Sequence, residues 1–322
     1  SASRTAEARV KVAVFGAGAL GGVYGTRLAL RGQVDVAFVV RPARVGSREP
    51  IVIEAVRGER REILEAPARV DAVPPDADVV LLAVGTEDLD ALKEPLATSE
   101  APIVVLTPML PPDWARMRAA FGERVLAAMP NVVAYTRKED GVIRYWAPPA
   151  PTKIDEPRAG DAGADAVREL AAALSRAGLR GRLELGVHEK NPATTVCFIA
   201  IGMTLSLAGS IAALVDDESL LSLATRACRE GVRLSRRIGA PEPWAPLAPA
   251  LAAPWALRAW LGALSRISPE AAFYAEEHFG RKLREQHRGM IRAMIELARD
   301  HALPREALEE LGRRFAATAP PS

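Results

Sequence analysis

The sequence predicts an α/β protein in which a Rossmann-type doubly wound parallel sheet is followed by an all-α second domain. First, residues 10–15 form an apolar run broken only by Lys11, as in a buried parallel strand, and a glycine-rich turn follows. Second, strand and helix patterns alternate through the first half of the chain. Third, nearly every apolar pattern after His188 has helical period. We therefore expect a Rossmann domain over residues 1–187 and a helical substrate or dimerisation domain over residues 188–322.

Individual elements follow from the same patterns. Apolar runs predict further strands at 34–40, 79–84, 103–106 and 125–129. Runs at 51–56 and 61–66 flank Arg57-Gly58-Glu59, which predicts a hairpin. Val142–Trp146 and Thr152–Asp155 are expected to close the sheet as an antiparallel pair. In the second half, helical periods cover 192–207, 218–238, 254–265, 269–299 and 305–315.

Composition and charge exclude several classes of function. The 322 residues include 42 Lys and Arg against 40 Asp and Glu, so a net charge of +2 predicts neither a nucleic-acid partner nor an anionic membrane surface. Cys197 and Cys228 form no CxxC motif, and the four histidines are scattered, so we expect no metal site. Two cysteines and a polar start without a signal-peptide pattern favour the cytoplasm.

One uncharged stretch, residues 191–215, is long enough to cross a membrane. It is interrupted by small and polar residues such as Gly202, Thr204 and Ser206, and no Lys/Arg asymmetry flanks it. We therefore expect no membrane partner, but a helix buried on all sides. Burial within the domain or at a homodimer interface would both satisfy this pattern.

The strongest motif is the turn Gly16-Ala17-Gly18-Ala19-Leu20-Gly21, between the first strand and the first helix. In a dinucleotide-binding turn, Gly16 makes the tight bend, Gly18 allows close approach of the diphosphate, and Gly21 lets the helix pack on the sheet. The helix start offers unpaired N–H groups to the phosphates. The sequence therefore predicts a dinucleotide site, and the alternative is a glycine-rich turn without a ligand.

The residue after the second strand bears on which dinucleotide is bound. NAD-dependent enzymes usually place Asp or Glu there, to accept hydrogen bonds from the ribose 2′-hydroxyl. This chain has Arg41, with Arg44 three residues later. A guanidinium can bind a 2′-phosphate through two hydrogen bonds, which favours NADP. The alternative is that Arg41 simply lies in a solvated loop.

The glycine turn, together with Tyr24-Gly25, Val40-Arg41 and Leu81-Leu82-Ala83-Val84, resembles the ketopantoate reductase family. The resemblance covers nearly the whole chain in architecture and is specific in its motifs as far as Val45. It implies reduction of a small 2-oxo acid to the 2-hydroxy acid with NADPH. It also implies that Ala83, Val84, Gly85 and Thr107, at the ends of two strands, lie against the cofactor.

The resemblance implies a catalytic lysine at the start of the first long helix of the second domain, and Lys190 matches that position. An ammonium there would stabilise the charge that develops on the carbonyl oxygen and supply its proton. The family also has a substrate-binding glutamate late in the second domain. Glu285 is the candidate for it, with Gln286 and Glu276 as alternatives.

This chain departs from the family pattern at several positions. Gly85 stands where the family has a lysine, and Thr107-Pro108-Met109 stands where it has Gln-Asn-Gly. Thr194 replaces an asparagine four residues after Lys190, and no serine lies at the expected spacing before the late glutamate. Proline has neither an N–H group nor an amide side chain. The substrate is therefore left open among oxo acids, ketones and imines, and a non-catalytic dinucleotide-binding sensor or scaffold is the alternative function.

Overall fold

The computed structural model describes residues 9–55, 61–85, 90–240, 253–267, 269–278 and 284–318, apart from the side chains at 194, 270, 271 and 285. The chain divides into two compact units. The first contains residues up to Thr107 and Met117–Leu185, and the second contains Pro108–Arg116 and the residues from Gly186 onward. The segment Pro108–Arg116 thus joins the second unit although it precedes the predicted boundary at residue 187.

Short strands dominate the first unit. In chain order they are β1 (Lys11–Phe15), β2 (Asp35–Val39), β3 (Ile51–Ala55), β4 (Arg61–Leu64), β5 (Ala68–Val70), β6 (Val79–Leu82), β7 (Ile103–Val105), β8 (Val125–Met129), β9 (Val133–Thr136), β10 (Ile143–Trp146), β11 (Thr152–Asp155) and β12 (Gly181–Glu184). The helices that accompany them are α1 (Ala19–Arg31), α2 (Lys93–Leu96) and α4 (Ala164–Arg176), while α3 (Pro111–Phe121) begins in the second unit and ends in the first.

The main sheet has the strand order β12-β11-β8-β7-β6-β1-β2-β5. Its six strands from β8 to β5 are all parallel, in the order that defines a doubly wound dinucleotide-binding sheet. Strand β11 runs antiparallel to β8, and β12 runs parallel to β11. The predicted fold class is confirmed, and the carboxyl ends of the six parallel strands lie along one edge.

A second sheet, with the order β4-β3-β10-β9, corrects part of the predicted pairing. The hairpin of β3 and β4 is confirmed, although its turn at 57–59 lies outside the described residues. The predicted antiparallel pair of β10 and β11 is wrong: β10 pairs with β9 and β3, whereas β11 pairs with β8 and β12. Strands of four residues carry too little pattern to specify partners that are decided by packing between layers. Strands β5 and β9 were not predicted, for the same reason.

Helix α1 lies against strands of both sheets and is buried over most of its length. A Cβ at Gly25 would overlap the ring of Phe38 on β2, and one at Gly22 would overlap the side chain of Ile143 on β10. These glycines disfavour a helix when it is isolated. Here they allow a β-sheet to approach each face closely, so tertiary packing outweighs helix propensity.

The second unit is helical, as expected. Its helices are α5 (Val187–Ala208), α6 (Ile211–Asp216), α7 (Glu218–Ile238), α8 (Pro254–Ile267), α9 (Pro269–Ala275), α10 (Arg284–Asp300) and α11 (Glu306–Ala317). Its main core joins α5, α7, α10 and α11 through buried side chains such as Val196, Leu223, Met294 and Phe315. Leu110, from the segment that precedes α3, is buried in the same core.

Two expectations about the uncharged stretch are corrected. Helix α5 begins at Val187 and not at Pro192, because Gly186, with φ +68°, forms the left-handed turn that starts it. The stretch is not one helix, because Gly209 ends α5 and Ser210 caps α6. A break of this kind needs only a glycine and a capping hydroxyl. Phe198 is 45% exposed within the single chain, so burial at a homodimer interface stays a prediction.

Among the described residues, one helix is long and apolar enough to cross a membrane by length and composition. This is Val187–Ala208, whose most apolar window has a mean hydropathy of 1.4 and is 65% buried within the protein. A core helix of a folded domain satisfies the same criterion, so the composition of α5 is weak evidence for a membrane span.

Candidate functional site

The glycine turn lies at the carboxyl end of β1, between β6 and β2. Gly16 has φ +95°, and a Cβ there would lie 2.8 Å from the carbonyl oxygen of Ala83. A Cβ at Gly21 would overlap the carbonyl oxygen of Gly16. The Ala83 N–H donates to the carbonyl oxygen of Phe15 at 2.8 Å. The turn therefore folds tightly against the end of β6, and side chains at Gly16 and Gly21 would prevent it.

Gly18, in contrast, faces open space. It is the N-cap of α1, and a Cβ built on it would have no atom of the described chain within 4 Å. Its backbone is extended, and no side chain in the described part of the chain caps the helix start. The first helical hydrogen bond runs from Gly22 N to Gly18 O at 2.7 Å. The N–H groups between Gly18 and Gly22 therefore remain available, and this combination of space and donors fits a diphosphate.

The other predicted cofactor residues lie along the same edge of the sheet. Ala83, Val84 and Gly85 follow β6, Thr107 follows β7, and Arg41 follows β2. Because β7, β6, β1 and β2 are parallel neighbours, these residues lie beside the glycine turn. The buried Thr107 hydroxyl donates to the carbonyl oxygen of Val84, which ties two strand ends together. Thr86, which follows Gly85, lies outside the described residues.

Lys190 lies in the first turn of α5 and not before it, and its N–H donates to the carbonyl oxygen of Gly186 at 3.2 Å. This helix start is held by two distant segments. The ring of His188 stacks on Trp114, with centroids 4.9 Å apart and an interplanar angle of 18°. The carbonyl oxygen of Glu189 accepts a hydrogen bond from the N–H of Ala240 at 2.7 Å. The two residues directly before Lys190 are thus held by contacts with distant segments.

Sequence reasoning missed Trp114, because it predicted no helix between residues 106 and 125. Helix α3 begins at Pro111, with Asp113 in its first turn. A proline at the first helical position and an early acidic residue are typical of a helix start. That signal could have located the helix, but it could not have paired Trp114 with His188.

The three candidates for the substrate-binding glutamate are only partly described by the structure. Glu285 lies in the first turn of α10, but its side chain and residues 279–283 lie outside the described part of the chain. The carboxylate of Glu276 accepts a hydrogen bond from the Ile211 N–H at 2.6 Å, so it caps α6. Gln286 is half-buried. Among the described residues, no group of three His, Cys, Asp or Glu side chains could hold a metal ion.

Fold and site together define a Rossmann-type unit that carries a candidate dinucleotide site, and a helical unit. Residues 12–158 match the sequence model of the family described as ketopantoate reductase PanE/ApbA. The match covers less than half of the 322 residues, and the members of that family are oxidoreductases that bind a nicotinamide dinucleotide. The resemblance inferred from the glycine turn is therefore confirmed. No curated protein matches the sequence.

Solved structures show the same architecture over both units. A 2-dehydropantoate 2-reductase from Geobacter metallireducens GS-15 is 17% identical, with a TM-score of 0.69 over 95% of this chain and 99% of its own. A D-mandelate dehydrogenase bound to NADH and anilino(oxo)acetate is 13% identical, with a TM-score of 0.66 over 96% and 97%. A dimeric ketopantoate reductase from Staphylococcus aureus is 15% identical, with a TM-score of 0.65 over 96% and 98%. At these identities the likeness establishes the fold.

Proposed function

We propose that the protein is an NADPH-dependent reductase of a 2-oxo acid or a related carbonyl compound, with Lys190 as the general acid. One observation carries the proposal: Gly18 and Arg41 follow neighbouring strands at the same edge of the sheet. Gly18 leaves free space before the helix start, and Arg41 stands where an NAD enzyme would have a carboxylate. The match of residues 12–158 to the family model supports the class of reaction. The structural neighbours that act on 2-dehydropantoate and bind anilino(oxo)acetate support the class of substrate.

The cofactor would be held by groups of the first unit. The free N–H groups at the start of α1 would bind the diphosphate, for which Gly18 leaves room. Arg41 is exposed at the end of β2 and precedes a 3₁₀ turn, Pro42–Arg44. Its guanidinium would bind the 2′-phosphate, which a carboxylate would repel.

The chemistry assigned to the chain itself is the handling of one proton. When bound, the reduced nicotinamide supplies a hydride to the carbonyl carbon of the substrate. The ammonium of Lys190 would bind the carbonyl oxygen, stabilise its developing negative charge and donate a proton to it. The products are the hydroxy compound, oxidised cofactor and a neutral lysine. The fixed backbone of His188 and Glu189 would keep Lys190 oriented for this step.

The substrate pocket would differ from that of the family. Pro108 stands where the family has an asparagine, so it cannot donate a side-chain hydrogen bond. We propose that the substrate is a 2-oxo acid, ketone or imine whose recognition does not need that amide. Loss of this contact also supports the second candidate, a dinucleotide-binding sensor or scaffold without catalysis.

Cofactor binding is tested by calorimetric titration with NADPH and NADH. In Gly18→Ala the new Cβ has no neighbour within 4 Å, so the melting temperature should stay near that of the wild type. The same methyl group would occupy the space for the diphosphate, and we expect NADPH affinity to fall about tenfold or more. Gly262→Ala, also without neighbours within 4 Å, is the matched control. If Gly18→Ala binds NADPH like the wild type, the site is misassigned.

Catalysis is tested by screening 2-oxo acids, ketones and imines through the loss of NADPH absorbance. We expect Lys190→Ala to lower kcat about 100-fold or more, because the ammonium that stabilises and protonates the carbonyl oxygen is lost, and to leave NADPH affinity unchanged. An unchanged kcat would exclude Lys190 as the acid. Tight NADPH binding without turnover on any of these compounds would favour the sensor or scaffold.

A cytoplasmic homodimer completes the proposal. The relative from Staphylococcus aureus is described as dimeric, and helix α8 exposes large apolar side chains, Trp260 and Ile267 among them. Light scattering coupled to gel filtration should give twice the mass of the chain. A monomer at micromolar concentration would remove the dimer from the proposal without affecting the chemistry.

A further inference from the structure

The loop after β2 is exposed and rich in arginine. It contains Arg41, Arg44 and Arg48, whose side chains are all exposed. Short-range hydrogen bonds shape its first half: Arg44 N donates to Arg41 O at 2.8 Å, and Ser47 N donates to Arg44 O at 3.3 Å. These bonds define a turn, but they do not fasten it to the sheet.

The attachment comes from β5, the edge strand beside β2. In the register of this pair, Arg69 lies opposite Phe38, and Val70 lies opposite Val39, the last residue of β2. The Val40 N–H continues the pairing by donating to Val70 O at 2.8 Å. Arg69 is half-buried, and its Nη1 donates to the carbonyl oxygen of Ser47 at 2.6 Å. One side chain thus joins the sheet edge to the far end of the arginine loop.

Arg69 also contributes to the charge of this region. Burial lowers the pKa of its guanidinium, the carboxylate of Glu49 raises it, and the positive charge of Arg44 lowers it again. Arg44 and Arg69 are therefore close enough to repel each other. A dianionic phosphate beside the loop would attract both guanidinium groups and offset their mutual repulsion.

We propose that Arg69 is a positioning residue for the 2′-phosphate of the cofactor. It acts through the loop, by holding the Ser47 carbonyl so that Arg41 and Arg44 stay at the end of β2, and it adds positive charge there. This inference rests on the proposed NADPH specificity. It adds a determinant on a neighbouring strand to the residues that directly follow β2.

The experiment compares Arg69→Gln with the wild type in calorimetric titrations with 2′-phosphoadenosine 5′-phosphate and with AMP, which differ only in the 2′-phosphate. We expect Arg69→Gln to bind the bisphosphate about tenfold more weakly and to bind AMP with unchanged affinity. The variant loses the charge-assisted hydrogen bond to the Ser47 carbonyl and one positive charge beside the loop. Arg69→Lys keeps the charge and one donor, so it should recover part of the affinity. Melting temperatures check that each variant is folded.

Arg48→Gln is the matched control, because it removes one positive charge from the same exposed loop. If Arg48→Gln and Arg69→Gln weaken binding equally, Arg69 contributes only general charge, and the positioning role is overturned. An unchanged preference for the bisphosphate in Arg69→Gln also overturns it, while leaving NADPH specificity intact. If the wild type itself does not prefer the bisphosphate to AMP, the NADPH proposal fails, and this inference fails with it.

Discussion

The glycine turn of the first unit and the start of α5 in the second are specified in different ways. In the turn, the decisive contact joins Gly21 to the carbonyl of Gly16, five residues earlier, so a short motif encodes the geometry. At the start of α5, the decisive contacts come from Trp114 and Ala240, which lie far from Lys190 in the sequence. A motif can therefore identify the first region, whereas the second becomes visible only after folding.

The largest loss of stability should come from a substitution in the glycine turn. In Gly21→Ala the new Cβ would overlap the backbone oxygen of Gly16, which cannot rotate away. We expect the free energy of unfolding, measured with urea, to fall by about 3 kcal/mol or more. Gly22→Ala is the control, because its Cβ meets only the terminal methyl of Ile143, and its stability should stay within about 1 kcal/mol of the wild type. Equal losses would contradict the close-packing explanation.

Glu230 tests the opposite case, in which a helix start is completed by a distant side chain. Its buried carboxylate accepts hydrogen bonds from the N–H groups of Ala307 at 3.1 Å and Leu308 at 2.9 Å. Glu230→Ala would leave both donors without this cap and should cost about 2 kcal/mol in urea unfolding. Glu230→Gln keeps one acceptor and should lose about half as much. A larger loss in the glutamine variant would refute the capping role.

The helical unit should also respond to acid through His287, which is 2% exposed. Burial lowers its pKa from 6.5 to about 4, so the unfolded chain takes up a proton first as the pH falls. The stability associated with neutral His287 is complete above pH 6.5 and is lost as the pH falls toward 4. We expect the wild type to lose up to about 1.4 kcal/mol per pH unit in this window.

Urea unfolding at several pH values between 4 and 7 tests this expectation. His287→Leu should reduce the slope, because this buried titrating group is gone. His301→Leu, which changes an exposed histidine, should retain it. A slope in His287→Leu equal to that of the wild type would assign the acid sensitivity to another group.

The smallest effect concerns the contact beside Lys190. A double-mutant cycle with Trp114→Ala and His188→Ala should give a coupling of about 1 kcal/mol in unfolding free energy, as expected for a stacked pair. Trp114→Phe retains an aromatic ring and should preserve most of the stability. A coupling near zero would mean that the stack does not help to hold the start of α5.

Some elements and residues could be predicted from the sequence, and others could not. The fold class, the glycine turn and helix α7, predicted at 218–238, agree with the structure. The short strand β5 was missed, since three residues with an arginine in the middle have no apolar pattern, and Arg69 was missed with it. The start of α5 was placed at Pro192, since proline marks many helix starts, whereas Gly186 begins the helix. The role of Lys190 as a catalytic acid stays a prediction.

The sequence alone determined the dinucleotide turn, because each of its glycines acts on an atom a few residues away or on the space directly in front of it. It also determined the fold class, because the period of apolar residues changes from alternating strands and helices to helices alone. Only the tertiary structure decided that β10 and β11 lie in different sheets, that Arg69 holds the arginine loop, and that Trp114 stacks on His188. Those contacts join segments whose encounter depends on the packing of whole layers, and no local pattern records that packing.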